Sequence, residues 1–126
     1  MTKPLALVIE DDVDLANIFA EALQAADFDT EIIAAGDVAL NRLKTVAPLV
    51  VVLDLHLPRV SGMEILPQIR SDARLAKTRV IVASADPVMA DSLADIADLV
   101  LIKPISFGQL RDMAARLKPA TTGFTV

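Results

Sequence analysis

The sequence predicts a doubly wound α/β domain in which a five-stranded parallel sheet is covered by five helices on both faces. Five short apolar runs alternate along the chain with five segments in which apolar residues recur at helical spacing. The chain is 54% hydrophobic but only 3% aromatic, so its core must be built from Val, Ile, Leu and Ala. That composition is typical of helices packed on a buried parallel sheet. The 126 residues suffice for one compact domain.

The first half of the chain contains two strand–helix units. The run Leu5–Ile9 is continuously apolar, and apolar residues at helical spacing follow it over residues 13–23. The β-branched stretch 30–33 predicts a second strand, and the helical pattern over 38–46 predicts a second helix. We expect parallel strands from this alternation, because each right-handed crossover packs its helix back onto one face of the sheet.

The middle of the chain contains the strongest strand signal. Residues 49–53 read LVVVL, and a loop marked by Pro and Gly leads from them to a predicted helix over 63–71. Residues 79–84 predict the fourth strand. The third strand is therefore expected to be the most buried of the five.

The last third of the chain adds two helices and the fifth strand. Asp86 and Pro87 favour the start of a helix over 88–96, since a carboxylate caps a helix and Pro suits its first position. Residues 99–102 are the fifth apolar run. The final helix, predicted over 106–118, begins with the spacing of a capping box.

We assign residues 1–119 to one domain, because no repeat and no low-complexity segment interrupts the alternation. Residues 120–126 are expected to be a disordered tail or the start of a truncated linker. No second folded module is expected within these 126 residues.

Charge and composition exclude several classes of function. Twelve Lys and Arg against seventeen Asp and Glu give a net charge of −5, and no basic run could follow a phosphate backbone. We therefore expect no direct binding of nucleic acid. The absence of cysteine excludes disulfides and thiolate metal sites. No segment approaches the ~20 apolar residues of a membrane span, so we expect a cytoplasmic protein without membrane contact.

Polar side chains follow four of the predicted strands at their carboxyl ends. They are Glu10, Asp11 and Asp12 after the first strand, Asp54 after the third, Ser84 at the end of the fourth, and Lys103 after the fifth. In an open doubly wound sheet, ligands bind outside the carboxyl ends of the strands, where the strand order reverses. If the strand order is 2-1-3-4-5, Asp11 and Asp54 face each other at that point.

These residue types predict a phosphoryl-transfer site. Several carboxylates at one point repel unless a cation offsets them, and a set of oxygen ligands favours Mg²⁺, or Mn²⁺ in its place. A lysine and a serine hydroxyl suit the oxygens of a tetrahedral anion. The nucleophile would have to be a carboxylate, and Asp54 is the natural choice because it stands alone after the most buried strand.

The sequence resembles the receiver domain of two-component response regulators along nearly its whole length. The matching stretches are LVIEDD at 7–12, DLHLPRVSGME at 54–64, ASA at 83–85 and KP at 103–104. Each motif alone is weak, but four in order, each at a strand end, are specific. The resemblance implies the flavodoxin-like strand order 2-1-3-4-5.

The resemblance also implies a phosphoacceptor and a metal site. Asp54 would be phosphorylated by the phosphohistidine of a histidine kinase or a phosphotransfer protein. Asp11 and Asp54 would ligate the metal directly, together with the backbone carbonyl of His56, while Glu10 would act through water. By this resemblance the domain is not an enzyme, since it promotes only its own phosphorylation and autodephosphorylation.

Further residues gain a role from the same resemblance. Ser84 and Lys103 would each bind a phosphoryl oxygen, and the bond before Pro104 is cis in the family, which would aim the lysine into the site. Asp86, two residues after the serine, is predicted to tune the lifetime of the phosphoryl group by discouraging some nucleophiles and phosphatases. Asp12 is predicted to cap the first helix rather than to bind metal.

One position departs from the family pattern. Many receivers carry, three residues before the lysine, an aromatic residue that changes rotamer on phosphorylation, whereas this chain has Val100. Valine is small and stiff at χ1, so we expect any signal to travel through movement of the loop or helix backbone. The output partner is not identified by the sequence. The sequence neither predicts nor excludes a weak homodimer through the fourth helix. The acids Asp91 and Asp95 on that helix are not sufficient to predict one.

Two alternatives remain beside the phosphorylated switch. The first is a receiver-like scaffold that binds partners without taking phosphate, which Val100 keeps open. The second is an aspartyl-phosphate hydrolase of the haloacid dehalogenase type, but that class needs an acid two residues after the nucleophile, where this chain has His56.

Overall fold

The structure is a computed structural model that describes residues 3–119. The predicted tail, residues 120–126, lies outside the described residues. Strands and helices alternate through the described part, with one turn of 3₁₀ helix after the third helix. The elements are β1 (Leu5–Ile9), α1 (Val13–Ala25), β2 (Asp29–Ile33), α2 (Gly36–Leu43), β3 (Val50–Asp54), α3 (Gly62–Ser71), the 3₁₀ turn (Ala73–Leu75), β4 (Arg79–Ser84), α4 (Pro87–Asp91), β5 (Leu99–Ile102) and α5 (Phe107–Leu117).

The five strands form one parallel sheet in the order β2-β1-β3-β4-β5, which confirms the predicted topology. The strand ends lie within one residue of the predicted ones. β3 is central, and all five of its residues are buried, as its apolar sequence predicts. Strand order reverses between β1 and β3, so the ends of these two strands lie side by side.

The core has two layers, one on each face of the sheet. α1 and α5 pack on one face, where Phe19, Leu23 and Leu110 are buried against Val8 and Val52. α2, α3 and α4 cover the other face, with Leu43, Ile65, Ile69, Ala90 and Leu93 packed around Leu7, Val51 and Val82. The expectation of five helices on both faces is therefore confirmed. Because both faces of the central strands are covered, a ligand can approach those strands only at their ends.

The fourth helix is shorter than predicted. α4 ends at Asp91 instead of continuing to residue 96, and the chain proceeds through turns. The Ala94 amide donates to the carbonyl of Asp91 three residues earlier, and the Ile96 amide donates three residues back in the same way. The Ile96 carbonyl accepts from the Arg70 side chain at 2.7 Å. Such bonds preserve roughly helical spacing without an α-helix, which explains why the apolar periodicity was misleading.

Two glycines allow backbone segments to approach closely near the ends of the strands. A Cβ on Gly62 would lie 2.3 Å from the Asp54 carbonyl oxygen, and one on Gly36 would lie 1.7 Å from the carbonyl oxygen of Val60. Neither glycine has a positive φ. The first position of α3 is therefore packed directly against the backbone of Asp54.

The longest helix of the described residues, α1, has 13 residues. Within residues 3–119 no helix combines the length and the apolar character needed to cross a membrane.

Candidate functional site

Three carboxylates converge at the carboxyl edge of the sheet. Glu10 follows β1 and Asp54 ends β3, and these two strands are hydrogen-bonded neighbours. Glu10, Asp11 and Asp54 each offer a carboxylate oxygen, and these oxygens lie within 4.8 Å of one another. Glu10 and Asp54 are 2% and 4% exposed, whereas Asp11 is exposed. Acids that are far apart in the sequence therefore lie side by side, because β1 and β3 are neighbours in the sheet.

Lys103 enters the same cluster from the end of β5. Its Nζ donates to Glu10 Oε1 at 2.7 Å and to Asp54 Oδ1 at 3.4 Å. The Lys103 backbone amide donates to the Ser84 carbonyl at 2.8 Å, which extends the pairing of β4 and β5 by one bond. The peptide bond between Lys103 and Pro104 is cis. The ammonium thus lies against two buried acids, with its own side chain only 17% exposed.

The pKa values of Glu10 and Lys103 are both raised. Burial raises the pKa of Glu10, and the nearby Asp54 raises it further, so that the hydrogen bonds from Lys103 and the Asp12 amide do not restore its ordinary value. Burial lowers the pKa of Lys103, but Glu10 and Asp54 outweigh that effect, and the pKa is raised. One ammonium among three carboxylates leaves the cluster short of positive charge.

The donor set fits a hard divalent cation. It consists of carboxylate oxygens, one of them exposed, with no sulfur and no histidine nitrogen among them. A cation held by few protein ligands leaves positions for water and for a substrate oxygen. With such a cation bound, the carboxyl edge could neutralise and orient an oxyanion next to Asp54.

Asp12 has a different role from its two neighbours. Its carboxylate accepts from the Leu15 amide at 3.0 Å and caps α1, which confirms the predicted role. Its backbone amide donates to Glu10 Oε2 at 3.2 Å. Asp12 thereby fixes both the start of α1 and the orientation of the Glu10 carboxylate.

Ser84 is fully buried at the end of β4. Its Oγ accepts from the Asp86 amide at 3.0 Å and donates towards the Asp86 carbonyl at 3.4 Å. Among the hydrogen bonds of residues 3–119, none joins this hydroxyl to Asp54 or to Lys103. Ser84 therefore lies at the edge predicted for it, with its hydroxyl engaged by the loop that follows β4.

The remaining predicted residues surround this cluster. His56 is exposed two residues after Asp54. Val100 pairs with Val82 in the sheet and is half-buried against the layer formed by α2, α3 and α4. The Asp86 carboxylate accepts from the first turn of α4, so it serves as a helix cap.

The sequence places Gly62 only in the loop marked by Pro and Gly before the third helix, and it does not predict the contact of this glycine with the backbone of Asp54. Its amide donates to the Leu55 carbonyl at 3.1 Å, and its missing side chain lets α3 contact the backbone of Asp54. A glycine at the first position of a helix, where it is a poor helix former, is the one signal the sequence offers.

Comparisons with known proteins agree with this geometry. The family model described as "Response regulator receiver domain" matches residues 6–115. The chain is 34% identical over 114 residues to the transcriptional regulatory protein TrcR of Mycobacterium tuberculosis, covering 89% of this chain and 43% of that protein. It is 31% identical over 123 residues to the phosphate regulon transcriptional regulatory protein PhoB of Rhizobium meliloti, covering 92% and 54%.

Solved receiver domains share the fold. The signal receiver domain of a LuxO repressor protein from Vibrio parahaemolyticus superposes with a TM-score of 0.82 at 27% identity, covering 91% of this chain and 89% of that chain. The receiver domain of the Francisella response regulator 1452 gives a TM-score of 0.79 at 26% identity, covering 90% and 95%.

The chain spans about half the length of the curated relatives it matches. One of them, MtrA of Mycobacterium leprae, is 30% identical over 113 residues, covers 89% of this chain and 48% of its own length, and is named a DNA-binding response regulator. The expectation of no direct nucleic acid binding does not fit that name for a full-length protein. It was drawn from the charge of these 126 residues alone and does not extend to a longer one. The family match, the strand order and the carboxyl edge show together that the chain belongs to the response regulator receiver domain family.

Proposed function

We propose that this chain is a phosphorylation-controlled switch in which Asp54 accepts a phosphoryl group from the phosphohistidine of a histidine kinase or a phosphotransfer protein. The observation that supports it most is the convergence of Glu10, Asp11 and Asp54 within 4.8 Å beside the Lys103 ammonium. A carboxylate nucleophile, a place for a divalent cation and a separate positive charge are the parts that phosphoryl transfer requires.

A divalent cation, Mg²⁺ or Mn²⁺, is part of this proposal. Asp11, Asp54 and the backbone carbonyl of His56 would hold it directly, and Glu10 would hold it through water. When bound, the ion supplies the positive charge that allows an anionic phosphoryl group to approach three carboxylates.

The transfer itself is a substitution at phosphorus. A bond forms between an Asp54 carboxylate oxygen and phosphorus, and the bond from phosphorus to the donor imidazole nitrogen breaks, its electron pair remaining with the imidazole. Lys103 already contacts both acids, so its ammonium can exchange a carboxylate oxygen for a phosphoryl oxygen over a short distance. The Ser84 hydroxyl has to give up the 3.4 Å bond that it donates to the Asp86 carbonyl before it can donate to the same group.

Phosphorylation would change the charge and the hydrogen bonding of the carboxyl edge. The phosphoryl group adds ≈ −1.5 to −2 charge at neutral pH. The chain then acts on no substrate other than its own Asp54. We place it in the cytoplasm together with its kinase, and the absence of cysteine is compatible with a reducing compartment. Because curated relatives are named transcriptional regulators, control of transcription is the output we favour for a protein that contains this domain.

A receiver-like scaffold that takes no phosphate is the second candidate. The Ser84 hydroxyl is bonded to Asp86 and Val100 stands where a switch aromatic is common, and both features favour a surface with a single state. The complete set of Asp11, Asp54 and Lys103 favours phosphorylation instead, since a scaffold has no need to bury two acids against one lysine.

The intact mass of the protein tests the proposal. The protein is incubated with Mg²⁺ and a small acyl-phosphate donor, beside Asp54→Asn and beside a sample with excess chelator. We expect the mass of one phosphoryl group to be added to the unaltered protein and to be absent from both controls. A folded protein that gains no mass would establish the scaffold.

A further inference from the structure

The β3–α3 loop, residues 55–61, carries the His56 carbonyl that the proposed cation would contact. The part of the loop nearest that carbonyl has few bonds to the rest of the molecule. Among the described residues, one backbone hydrogen bond joins residues 56–59 to another element, and it runs from the Gly36 amide to the Pro58 carbonyl at 3.2 Å. The path of the loop therefore depends on the start of α2.

The start of α2 also lies in close contact with this loop. A Cβ on Gly36 would lie 1.7 Å from the Val60 carbonyl oxygen and 2.9 Å from Val60 Cβ. The Val60 amide in turn donates to the Pro58 carbonyl at 2.8 Å, which closes a tight turn around Arg59. Only a residue without a side chain allows α2 to approach the turn so closely. The backbone of α2 therefore sets the position of the turn.

Arg59, at the centre of this turn, has a backbone conformation that favours glycine. Its φ is 68°, in the left-handed region, which is less favourable for a residue with a side chain than for glycine. Its side chain adds an ion pair, in which Nε donates to Asp37 Oδ1 at 2.9 Å. The same bond lowers the pKa of the Asp37 carboxyl, so the pair is charged at neutral pH. Arg59 therefore attaches the turn to α2 a second time.

We propose that Gly36, Asp37 and Arg59 are positioning residues of the proposed metal site. Together they fix the path of the β3–α3 loop, and with it the place of the His56 carbonyl. This inference rests on the proposed function, in which a divalent cation lies beside Asp54. Mg²⁺ demands near-ideal octahedral geometry, so a small displacement of one ligand weakens its binding. The three residues act on the cation only through the backbone of the loop.

Removal of the ion pair separates positioning from stability. Arg59→Gly deletes the pair but suits the left-handed backbone, so we expect the urea midpoint of unfolding not to fall. Asp37→Ala deletes the same pair from the other side. The two side chains are 61% and 47% exposed, so we expect each variant to raise the Mg²⁺ dissociation constant by about two- to fivefold. The double variant should bind Mg²⁺ no more weakly than Arg59→Gly alone, because each side chain acts through the other.

The dissociation constant is measured from the amide NMR signals of residues 10–12 during a Mg²⁺ titration, which avoids the altered loop. Arg42→Ala is the matched control. Arg42 donates to Glu31 Oε2 at 2.8 Å near the other end of α2, so the variant removes an ion pair of the same helix and should leave the dissociation constant unchanged. Gly36→Ala forces the turn away from α2 and should raise the constant at least about tenfold. If that variant fails to fold, the ion-pair variants still test the inference.

The outcomes separate this inference from the proposed function, since the intact mass of the same samples is recorded after treatment with an acyl-phosphate donor. Unchanged Mg²⁺ binding in Arg59→Gly and Asp37→Ala would overturn the positioning role and leave the proposed function intact. A urea midpoint of Arg59→Gly that falls together with the metal affinity would also overturn it, because the residue would then be structural. If the unaltered protein binds no Mg²⁺, the proposed cation is overturned and the positioning role with it. Absence of the phosphoryl mass gain alone would overturn only the proposed phosphorylation.

Discussion

Two charged clusters lie at opposite edges of the same sheet. The carboxyl-edge cluster contains three acids and one base, namely Glu10, Asp11, Asp54 and Lys103. The amino-edge cluster contains one acid and two bases, namely Asp98, Arg70 and Arg79. The first cluster has two more acids than bases, whereas the second has one more base than acids. The proposed divalent cation therefore belongs to the first cluster.

The pKa values of Glu10 and Asp98 shift in opposite directions. In the carboxyl-edge cluster, burial and the nearby Asp54 raise the pKa of Glu10 in spite of Lys103. Burial also raises the pKa of Asp98, but hydrogen bonds from the Val80 amide and from two arginines outweigh it and leave that pKa below its ordinary value. The donors around Asp98 therefore outweigh its partial burial, whereas the donors at Glu10 do not offset its burial and the nearby Asp54.

Of the substitutions that compare the two edges, Gly62→Ala is expected to lower stability most, and it disturbs the carboxyl edge alone. The new Cβ would lie 2.3 Å from the Asp54 carbonyl oxygen and 2.8 Å from Leu55 Cα, so backbone has to move. We expect the free energy of unfolding, measured with urea, to fall by about 3 kcal/mol. Gly108→Ala is the control, because its Cβ would meet only the Arg111 side chain, at 3.7 Å. Equal stability of both variants would refute the close approach described here.

Replacement of Lys103 by Ala tests the chemical role of the carboxyl edge. Its ammonium is the one side-chain base that contacts Asp54 among the described residues, so we expect the initial rate of phosphorylation by an acyl-phosphate donor to fall at least about 100-fold. Lys44→Ala, at an exposed lysine of the α2 end, provides the comparison. A loss smaller than about threefold would show that Lys103 is only a structural counter-ion.

Arg70→Ala tests whether the amino edge is structural. The variant deprives Asp98 of a 2.6 Å partner and leaves two backbone carbonyls without their donor. The side chains of Arg70 and Asp98 are 26% and 18% exposed, so water replaces part of what is lost. We expect the free energy of unfolding to fall by about 2 kcal/mol, with phosphoryl uptake unchanged. Arg116→Ala, at an exposed arginine with no ion pair among residues 3–119, should leave both quantities unaltered.

The smallest expected effect is the pH dependence contributed by Asp98. Its pKa is lower in the folded than in the unfolded chain, so the unfolded chain binds more protons and this contribution to stability rises with pH. It is complete above the unfolded value of about 3.9 and disappears as the pH falls through the folded pKa. The stability difference between the unaltered protein and Asp98→Asn should therefore narrow as pH falls from 6 to 3. A difference that stays constant over this range would show that Asp98 is not stabilised by its donors.

The fold could be predicted because its signals are local. Five apolar runs and the caps Asp12, Asp86 and Ser106 locate nearly every element, and all three caps are present in the structure. The end of α4 could not be predicted, because it depends on Arg70, which lies 26 residues before the Ile96 carbonyl it binds. A contact between residues so far apart leaves no periodic pattern in the sequence.

The carboxyl edge could also be predicted, whereas its connections could not. Acids after β1 and β3 and a lysine after β5 converge once the strand order is known. That Ser84 bonds to Asp86 follows from the path of a loop, which the sequence does not specify. The amino-edge cluster was missed because each of its members alone is an ordinary surface charge, and only the packing of α3 against β4 and β5 brings them together.

A titration with Mg²⁺ followed by amide NMR spectra tests most directly whether the two edges differ as described. The unaltered protein is labelled with ¹⁵N, and Asp11→Asn serves as the matched variant. We predict that amide signals of residues 10–12 and 54–57 shift in a saturable manner, that those of residues 79–80 and 96–98 do not, and that Asp11→Asn weakens the response at least about tenfold. Equal shifts at both edges, or none at the carboxyl edge, would contradict the proposal that a divalent cation binds at the carboxyl-edge cluster and not at the amino-edge cluster.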